Sequence, residues 1–185
     1  PVPEGDSIVP LINQLQQKFD LVVATQDWHP SDHQSFAVQH EGRQPGELID
    51  LHGISQVLWP IHCVQETEGA QFISNLDQSK VKRVFRKGQN PQIDSYSGFF
   101  DNDHQSSTGM GEYLGEQGVD EVFVVCLATD YCVHFTAADA TEFGFQTIVI
   151  SDATRGVNLQ KGDVDRALSA FQEQGVRILL SSELP

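Results

Sequence analysis

Short apolar runs rich in β-branched residues alternate along this chain with segments in which apolar residues recur at helical spacing. The runs predict strands over residues 21–25, 81–85, 121–127, 146–150 and 177–180. The periodic segments predict helices over residues 8–19, 68–76, 109–117, 130–143 and 163–174, the first of them capped by Asp6 or Ser7. Because strands that are apolar on both faces belong in a parallel sheet covered on each side, the alternation predicts an α/β fold. We expect a doubly wound parallel sheet with helices on both faces.

Length and composition limit the class of protein. The 185 residues predict a single domain, residues 1–185. A formal net charge of −15 argues against nucleic acid and against anionic membranes as partners, while self-association into a homo-oligomer stays open. The longest apolar run, residues 122–128, is far shorter than the ~20 residues of a membrane span. Since 3 cysteines are too few for a disulfide framework, a reducing, cytoplasmic location is predicted.

Residues able to carry chemistry follow the predicted strands. In open parallel sheets, ligands bind beyond the carboxyl ends of the strands. The first two strands lead to Asp27 with His29 and to Lys87, and the next two lead to Cys132 and to Asp152. A nucleophile, an amine and metal-type ligands are therefore expected at one edge of the sheet.

Cys132 is the candidate nucleophile. Near a helix N-terminus, unpaired N–H groups and the positive dipole end favour a thiolate, and Lys87 is positioned to lower the pKa of the thiol further. The same N–H groups could hold the oxyanion of an acyl transfer. A buried, inert cysteine is the alternative for Cys132, and it is the expectation for Cys126 inside the third strand. No Arg follows Cys132 at the spacing of a phosphate-cradling loop, which excludes phosphatase chemistry.

Histidines are concentrated between residues 29 and 62. Asp27 and His29 are one residue apart, so in an extended segment both side chains lie on one face and can bind one ion. A third ligand must come from farther along the chain, and His62 is the candidate. Carboxylate and imidazole together favour Zn²⁺, with Fe²⁺ and Mn²⁺ as alternatives. Because Asp50 and His52 repeat the spacing, ordinary surface histidines are the alternative interpretation.

Several short motifs occur in a fixed order. They are Asp27-Trp28-His29-Pro30, Trp59-Pro60-Ile61-His62-Cys63-Val64, Lys87-Gly88, Asp94-Ser95-Tyr96-Ser97-Gly98-Phe99 and Leu127-Ala128-Thr129-Asp130-Tyr131-Cys132-Val133. The ordered set, over residues 2 to about 157, resembles the nicotinamidase/pyrazinamidase branch of the isochorismatase-like cysteine hydrolases. The resemblance implies one isochorismatase-like domain with a Rossmann-like, three-layer fold.

The resemblance also implies catalytic residues. Cys132 matches the nucleophile of the family's Cys-Lys-Asp triad, and Lys87 matches its lysine. A cis peptide bond is implied before Ala128, whose N–H would form the oxyanion hole together with that of Cys132.

Metal and substrate positions carry over in the same way. Asp27, His29 and His62 match the family's metal ligands, with His33 or water in a further position. Trp59 and Tyr96 resemble residues that line the pocket for a pyridine ring.

One part of the family pattern lies before this chain. The family's catalytic Asp ends its first, central strand, which precedes the stretch that here is residues 2–6. We therefore expect that this Asp and strand lie upstream of Pro1 and that the domain is N-terminally incomplete as given. The strand is expected between the strands that end at Asp27 and Lys87.

The function implied by the resemblance is the hydrolysis of nicotinamide to nicotinate and ammonia in NAD salvage, through a thioester on Cys132. One alternative is an amidohydrolase with another small amide as its substrate, since relatives hydrolyse isochorismate, carbamoylsarcosine or ureidoacrylate. Two others are a metal-hydroxide hydrolase with Cys132 as a bystander and a non-catalytic metal-binding module.

Overall fold

A computed structural model describes residues 1–184 of the chain. Its strands are β1 Val22–Asp27, β2 Leu48–Leu51, β3 Ile54–Val57, β4 Val81–Lys87, β5 Glu121–Leu127, β6 Gln146–Arg155 and β7 Arg177–Leu179. Its α-helices are α1 Val9–Leu15, α2 Met110–Glu116, α3 Cys132–Glu142 and α4 Asp163–Glu173. The predicted α/β class is confirmed, and every predicted strand is found. The β2–β3 hairpin is an addition that the periodicity did not reveal.

The long strands pair in parallel, as predicted, but they form separate sheets. β1 pairs with β4, and their last residues, Asp27 and Lys87, lie opposite each other. β5, β6 and β7 form a second parallel sheet, and β2–β3 is an antiparallel hairpin. The expectation that a further strand fits between the strands ending at Asp27 and Lys87 is wrong, because β1 and β4 are hydrogen-bonded directly. Across residues 1–184, the break in the parallel sheet lies between the β1–β4 pair and the β5–β7 sheet.

Helices cover both faces of β6. Ile148 and Ile150 pack against the first helix in one cluster that includes Ile12. Val149 points to the opposite face and packs with Ala137 of α3 and with other residues of α3 and α4. Side chains of a strand alternate between faces, so this arrangement buries β6 on both sides and makes it the centre of the core. The predicted covering of the sheet on both faces is confirmed here.

The helix predicted over residues 68–76 is wrong, since only a 3₁₀ turn, Glu68–Ala70, forms there. The backbone that follows bonds to side chains of the first helical segment instead of to itself. Asn13 donates to the carbonyl of Asn75 and accepts from the N–H of Asp77, both at 2.8 Å. Gln16 donates to the carbonyl of Asp77. Long-range partners have thus replaced the hydrogen bonds of a helix.

Two smaller predictions are corrected as well. Neither Asp6 nor Ser7 caps the first helix, because a 3₁₀ turn precedes it and the Ser7 hydroxyl donates to the carbonyl of Glu4. Cys126 is exposed, not buried, since the pairing of β5 with β6 is irregular at that residue and its φ is 95°. Among the helices of residues 1–184, none has the length and apolar content to cross a bilayer.

Candidate active site

The carboxyl ends of β1 and β4 bring Asp27 and Lys87 together. The Lys87 ammonium lies 2.5 Å from Asp27 Oδ1 and donates to the carbonyl of Ser95 at 2.6 Å. Burial disfavours the charged form of Lys87, which is 5% exposed, yet Asp27 and then Cys132 outweigh burial and raise its pKa. Lys87 is therefore a fixed cation enclosed at the strand ends.

Cys132 is the first residue of α3, and its Sγ lies 3.5 Å from Lys87 Nζ. Burial raises the pKa of the Cys132 thiol to about 11, although Lys87 acts to lower it, and the Asp27 charge adds to the rise. The sequence anticipated the effect of Lys87 but not the larger effect of burial. At neutral pH the thiol is thus protonated, and it must lose its proton to react.

The turn before α3 leaves donors facing the thiol. The Leu127–Ala128 peptide bond is cis, as the resemblance implies. The Ala128 carbonyl accepts from the N–H groups of Tyr131 and Val133, both at 3.0 Å. In the part of the chain that the structure describes, neither Ala128 nor Cys132 donates its N–H to an acceptor in a turn, loop or cap. Both groups are available to an oxyanion.

Aromatic side chains surround the approach to Cys132. Trp59 packs edge-on against Tyr131, with ring centroids 4.8 Å apart, and its indole N–H donates to the Tyr96 hydroxyl at 3.2 Å. Tyr96 lies 5.5 Å from Tyr131 and 5.2 Å from Phe135 between ring centroids. The two predicted pocket residues, Trp59 and Tyr96, are thus joined by Tyr131, which the sequence analysis did not single out. Its position directly before the nucleophile was the available signal.

The three predicted metal ligands, Asp27, His29 and His62, converge beside this pocket. Their ligand atoms lie within 4.8 Å of one another. The Nδ1 of His29 contacts the carbonyl of Gly88, and that of His62 contacts the carbonyl of Pro60, each at 2.9 Å. A carbonyl only accepts hydrogen bonds, so each Nδ1 carries the proton and each Nε2 keeps a lone pair. Metal-binding histidines are oriented by contacts of this kind.

A further histidine, His33, belongs to the same cluster. Its ring centroid lies 4.4 Å from that of His29, and it is fully buried. The Nδ1 contacts the Ser35 hydroxyl at 2.8 Å, whereas the buried Nε2 finds no hydrogen-bond partner within residues 1–184. His29, His33 and Asp94 form a second group with ligand atoms within 4.8 Å. An unpartnered buried nitrogen beside this donor set is what a bound divalent ion would satisfy.

The protonation states suit a cation. Burial opposes the ionised form of Asp27, but Lys87 and His29 outweigh it and hold the Asp27 pKa below its ordinary value. Burial lowers the pKa of His29, and it lowers that of His33 to about 4. Metal ions bind ionised carboxylates and neutral imidazoles, so no proton need leave these groups on binding at neutral pH.

Two residues singled out in the sequence have structural roles elsewhere. Asp50, of the repeated spacing, accepts from the N–H of Gly53 at the tip of the β2–β3 hairpin. Asp152 lies inside β6, which is longer than predicted, and both of its carboxylate oxygens accept from Ser181. Asp130 is a positioning residue that sequence reasoning missed, since its carboxylate accepts from the N–H groups of residues 157 and 158 and anchors the turn before α3.

Replacing Gly88 with alanine should weaken metal binding. Gly88 has a φ of 63°, and a Cβ there would overlap the His29 ring. Displacing that ring should lower the affinity for Zn²⁺ about 10- to 100-fold, measured by calorimetry on the metal-free chain. Gly118→Ala is the matched control, because Gly118 has a φ of 69° with nothing within 4 Å of the added Cβ. Equal affinities of the two variants would contradict the expected displacement.

Known proteins with these features were found in three comparisons. The family model "Isochorismatase domain" matches residues 2–183. The nicotinamidase of Escherichia coli (strain K12) is 45% identical over 181 residues, covering 96% of this chain and 84% of the relative. A solved nicotinamidase/pyrazinamidase of Acinetobacter baumanii superimposes with a TM-score of 0.97 at 47% identity, over 100% of this chain and 89% of that one. A pyrazinamidase of Pyrococcus horikoshii in complex with zinc gives a TM-score of 0.77 at 35% identity, over 97% and 88%.

Proposed function

This chain belongs to the isochorismatase family, and we propose that it is an amidase that hydrolyses nicotinamide to nicotinate and ammonia, a step of NAD salvage. The observation that carries the proposal is the buried Cys132 thiol, 3.5 Å from the Lys87 ammonium and next to the aromatic pocket. A flat aromatic amide fits between Trp59 and Tyr96, and its carboxamide carbon is then within reach of the thiol.

The reaction is written as two acyl transfers. Cys132 Sγ attacks the carboxamide carbon after its proton leaves, and the oxyanion accepts hydrogen bonds from the N–H groups of Ala128 and Cys132. The carbon–nitrogen bond breaks as the amide nitrogen takes up a proton and departs as ammonia. Water then attacks the thioester, and its cleavage releases nicotinate and regenerates the thiol. Lys87 stabilises the negative charge that develops beside it.

The donor set described above fits a divalent ion, and Zn²⁺ is the ion we propose, with Fe²⁺ and Mn²⁺ as alternatives. Asp27, His29 and His62 would hold it, with His33 or water in a further position. Such an ion would act as a Lewis acid that binds the ring nitrogen of the substrate. This role would orient the carboxamide toward Cys132, because the metal ligands and the thiol share Lys87 and Asp27 as neighbours.

A proton acceptor for the thiol is still needed, and we propose that it is an Asp on a strand upstream of Pro1. Within residues 1–184, the carboxylate that contacts Lys87 is Asp27, which is also a proposed metal ligand. The β1–β4 pair and the β5–β7 sheet share no strand pairing in this range, although both sheets end at the active site. A strand between them would complete one domain and place its last residue beside Lys87 and Cys132.

The surroundings of the reaction are proposed from charge and cysteine state. The net charge of −15 disfavours nucleic acid and anionic membranes, so a small amide is the proposed partner, with self-association left open. The cysteines Cys63, Cys126 and Cys132 are all free thiols, which supports a cytoplasmic location.

The test is ammonia release from nicotinamide, isochorismate, carbamoylsarcosine and ureidoacrylate, assayed in parallel with a chain that includes the natural residues upstream of Pro1. We expect nicotinamide to be turned over at least about 100-fold faster than the others, because only its ring nitrogen can bind an ion while its amide faces Cys132. Iodoacetamide and chelators should each abolish turnover. Inactivation by the chelator alone would instead favour the metal-hydroxide mechanism.

A further inference from the structure

A second cluster of metal-type ligands lies outside the active site, at the opposite end of α3 from Cys132. His104, Asp139 and Glu142 each offer one ligand atom, and these atoms lie within 4.8 Å of one another. Asp139 and Glu142 belong to the last turns of α3, whose first residue is Cys132. At 1.5 Å per residue the cluster begins about 10 Å along the helix from the nucleophile.

Asp139 is the member that points to a ligand. The residue is 4% exposed, and its Oδ2 is buried with no hydrogen-bond partner among the described residues. The Ser97 hydroxyl interacts with the same carboxyl group, but the neighbouring Glu142 charge opposes its ionisation. Burying a carboxylate without compensation is costly, so this oxygen calls for a cation or a donor that the protein does not supply.

The position of His104 fits a shared ion better than a direct contact. Its Nε2 lies 3.7 Å from Asp139 Oδ1, which is too long for a hydrogen bond. Two ligand atoms that are each ~2.1 Å from one zinc ion lie about 3–4 Å apart. The imidazole stacks on Phe100, with ring centroids 5.2 Å apart and planes at 19°, and this contact orients its edge toward α3.

The end of the helix adds to the argument. The C-terminus of a helix carries partial negative charge, and cations are favoured there. The last turn of α3 has no basic residue, and it presents two acidic side chains instead. We propose that His104, Asp139 and Glu142 form a second divalent-metal site that binds Zn²⁺. The ion would tie the loop after Phe100 to α3, and Asn102 of that loop accepts a hydrogen bond from the N–H of Tyr96.

Counting bound metal tests this site independently of the proposed function. Zn²⁺ is titrated into the metal-free chain by calorimetry, and bound zinc is measured after dialysis. We expect two ions per wild-type chain, one in His104→Ala and one in His62→Ala. Asp139→Asn, which keeps the shape of the side chain, should lose the same ion as His104→Ala. The matched control is His52→Ala, because His52 is also exposed and has a φ of 55° against 57° for His104.

The outcomes separate the two sites. Loss of one ion in His104→Ala, with nicotinamide turnover within twofold of wild type, supports the second site. The proposal is overturned if His104→Ala and His52→Ala bind equal amounts of Zn²⁺ with equal affinity. Since His62→Ala removes a ligand of the active-site cluster only, failure of that site would leave the count in His104→Ala interpretable.

Discussion

Cys132→Ala is expected to lower kcat for ammonia release from nicotinamide by about 10⁴-fold or more, because the variant lacks the atom that forms the thioester. The substitution removes one sulfur from the start of α3 and leaves the Ala128 turn and the aromatic pocket intact. Zinc content and nicotinamide affinity should therefore stay near the wild-type values. A loss of turnover with binding preserved would place the effect in the chemical step.

The control for this prediction is Cys126→Ala. Cys126 is an exposed free thiol on β5, the strand that leads to the same turn, so its removal tests for a general effect of losing a cysteine nearby. Turnover of the control should match the wild type within a factor of about two. If Cys132→Ala retained more than about a tenth of wild-type activity, the nucleophilic role would be wrong and the metal-hydroxide alternative would gain support.

The strand ends were the part of the site that sequence could locate. Asp27, Lys87 and Cys132 follow predicted strands, and in a parallel sheet such ends share one edge, so their convergence was foreseeable. His62 was identified only through a motif, because a loop position has no periodic signal. The structure brings it to Asp27 and His29 through the path of the chain after Trp59.

Other features depend on long-range contacts, which one sequence does not encode locally. The segment after Ala70 has apolar residues at helical spacing, yet side chains of the first helix take its backbone hydrogen bonds. The pKa of Cys132 likewise depends on burial, which is set by the whole fold. Helix position and a nearby Lys indicate the direction of two effects, and the larger third effect appears only in three dimensions.

Lys87→Met is expected to lower the free energy of unfolding by about 3 kcal/mol at neutral pH, because it leaves the Asp27 carboxylate without its partner. Methionine fills a similar volume, so the lost charge dominates the effect. The pKa of Lys87 is raised in the folded protein, so its contribution is full below the unfolded value of about 10.4 and constant from acid to neutral pH. Any pH dependence in that range therefore comes from Asp27.

The sign of that dependence follows from the lowered pKa of Asp27. In the wild type its ionised form stabilises the fold above the unfolded pKa of about 3.9, and this contribution is lost as pH falls through the lower folded value. In Lys87→Met, burial acts without the lysine and raises the Asp27 pKa, so protonation removes the penalty. The difference between the two proteins should be largest near pH 7 and small near pH 3.

Urea unfolding at both pH values, with a chelator present, measures this difference. Lys82→Met is the matched control, since Lys82 is an exposed residue of the same strand, and it should stay within about 0.5 kcal/mol of wild type. Alkylation of Cys132 by iodoacetamide supplies a second readout. Without Lys87 the thiol pKa rises above about 11, so alkylation at pH 8 should be slower than in the control. Equal stability and equal alkylation rates in the two variants would show that Lys87 does not act on Asp27 or Cys132.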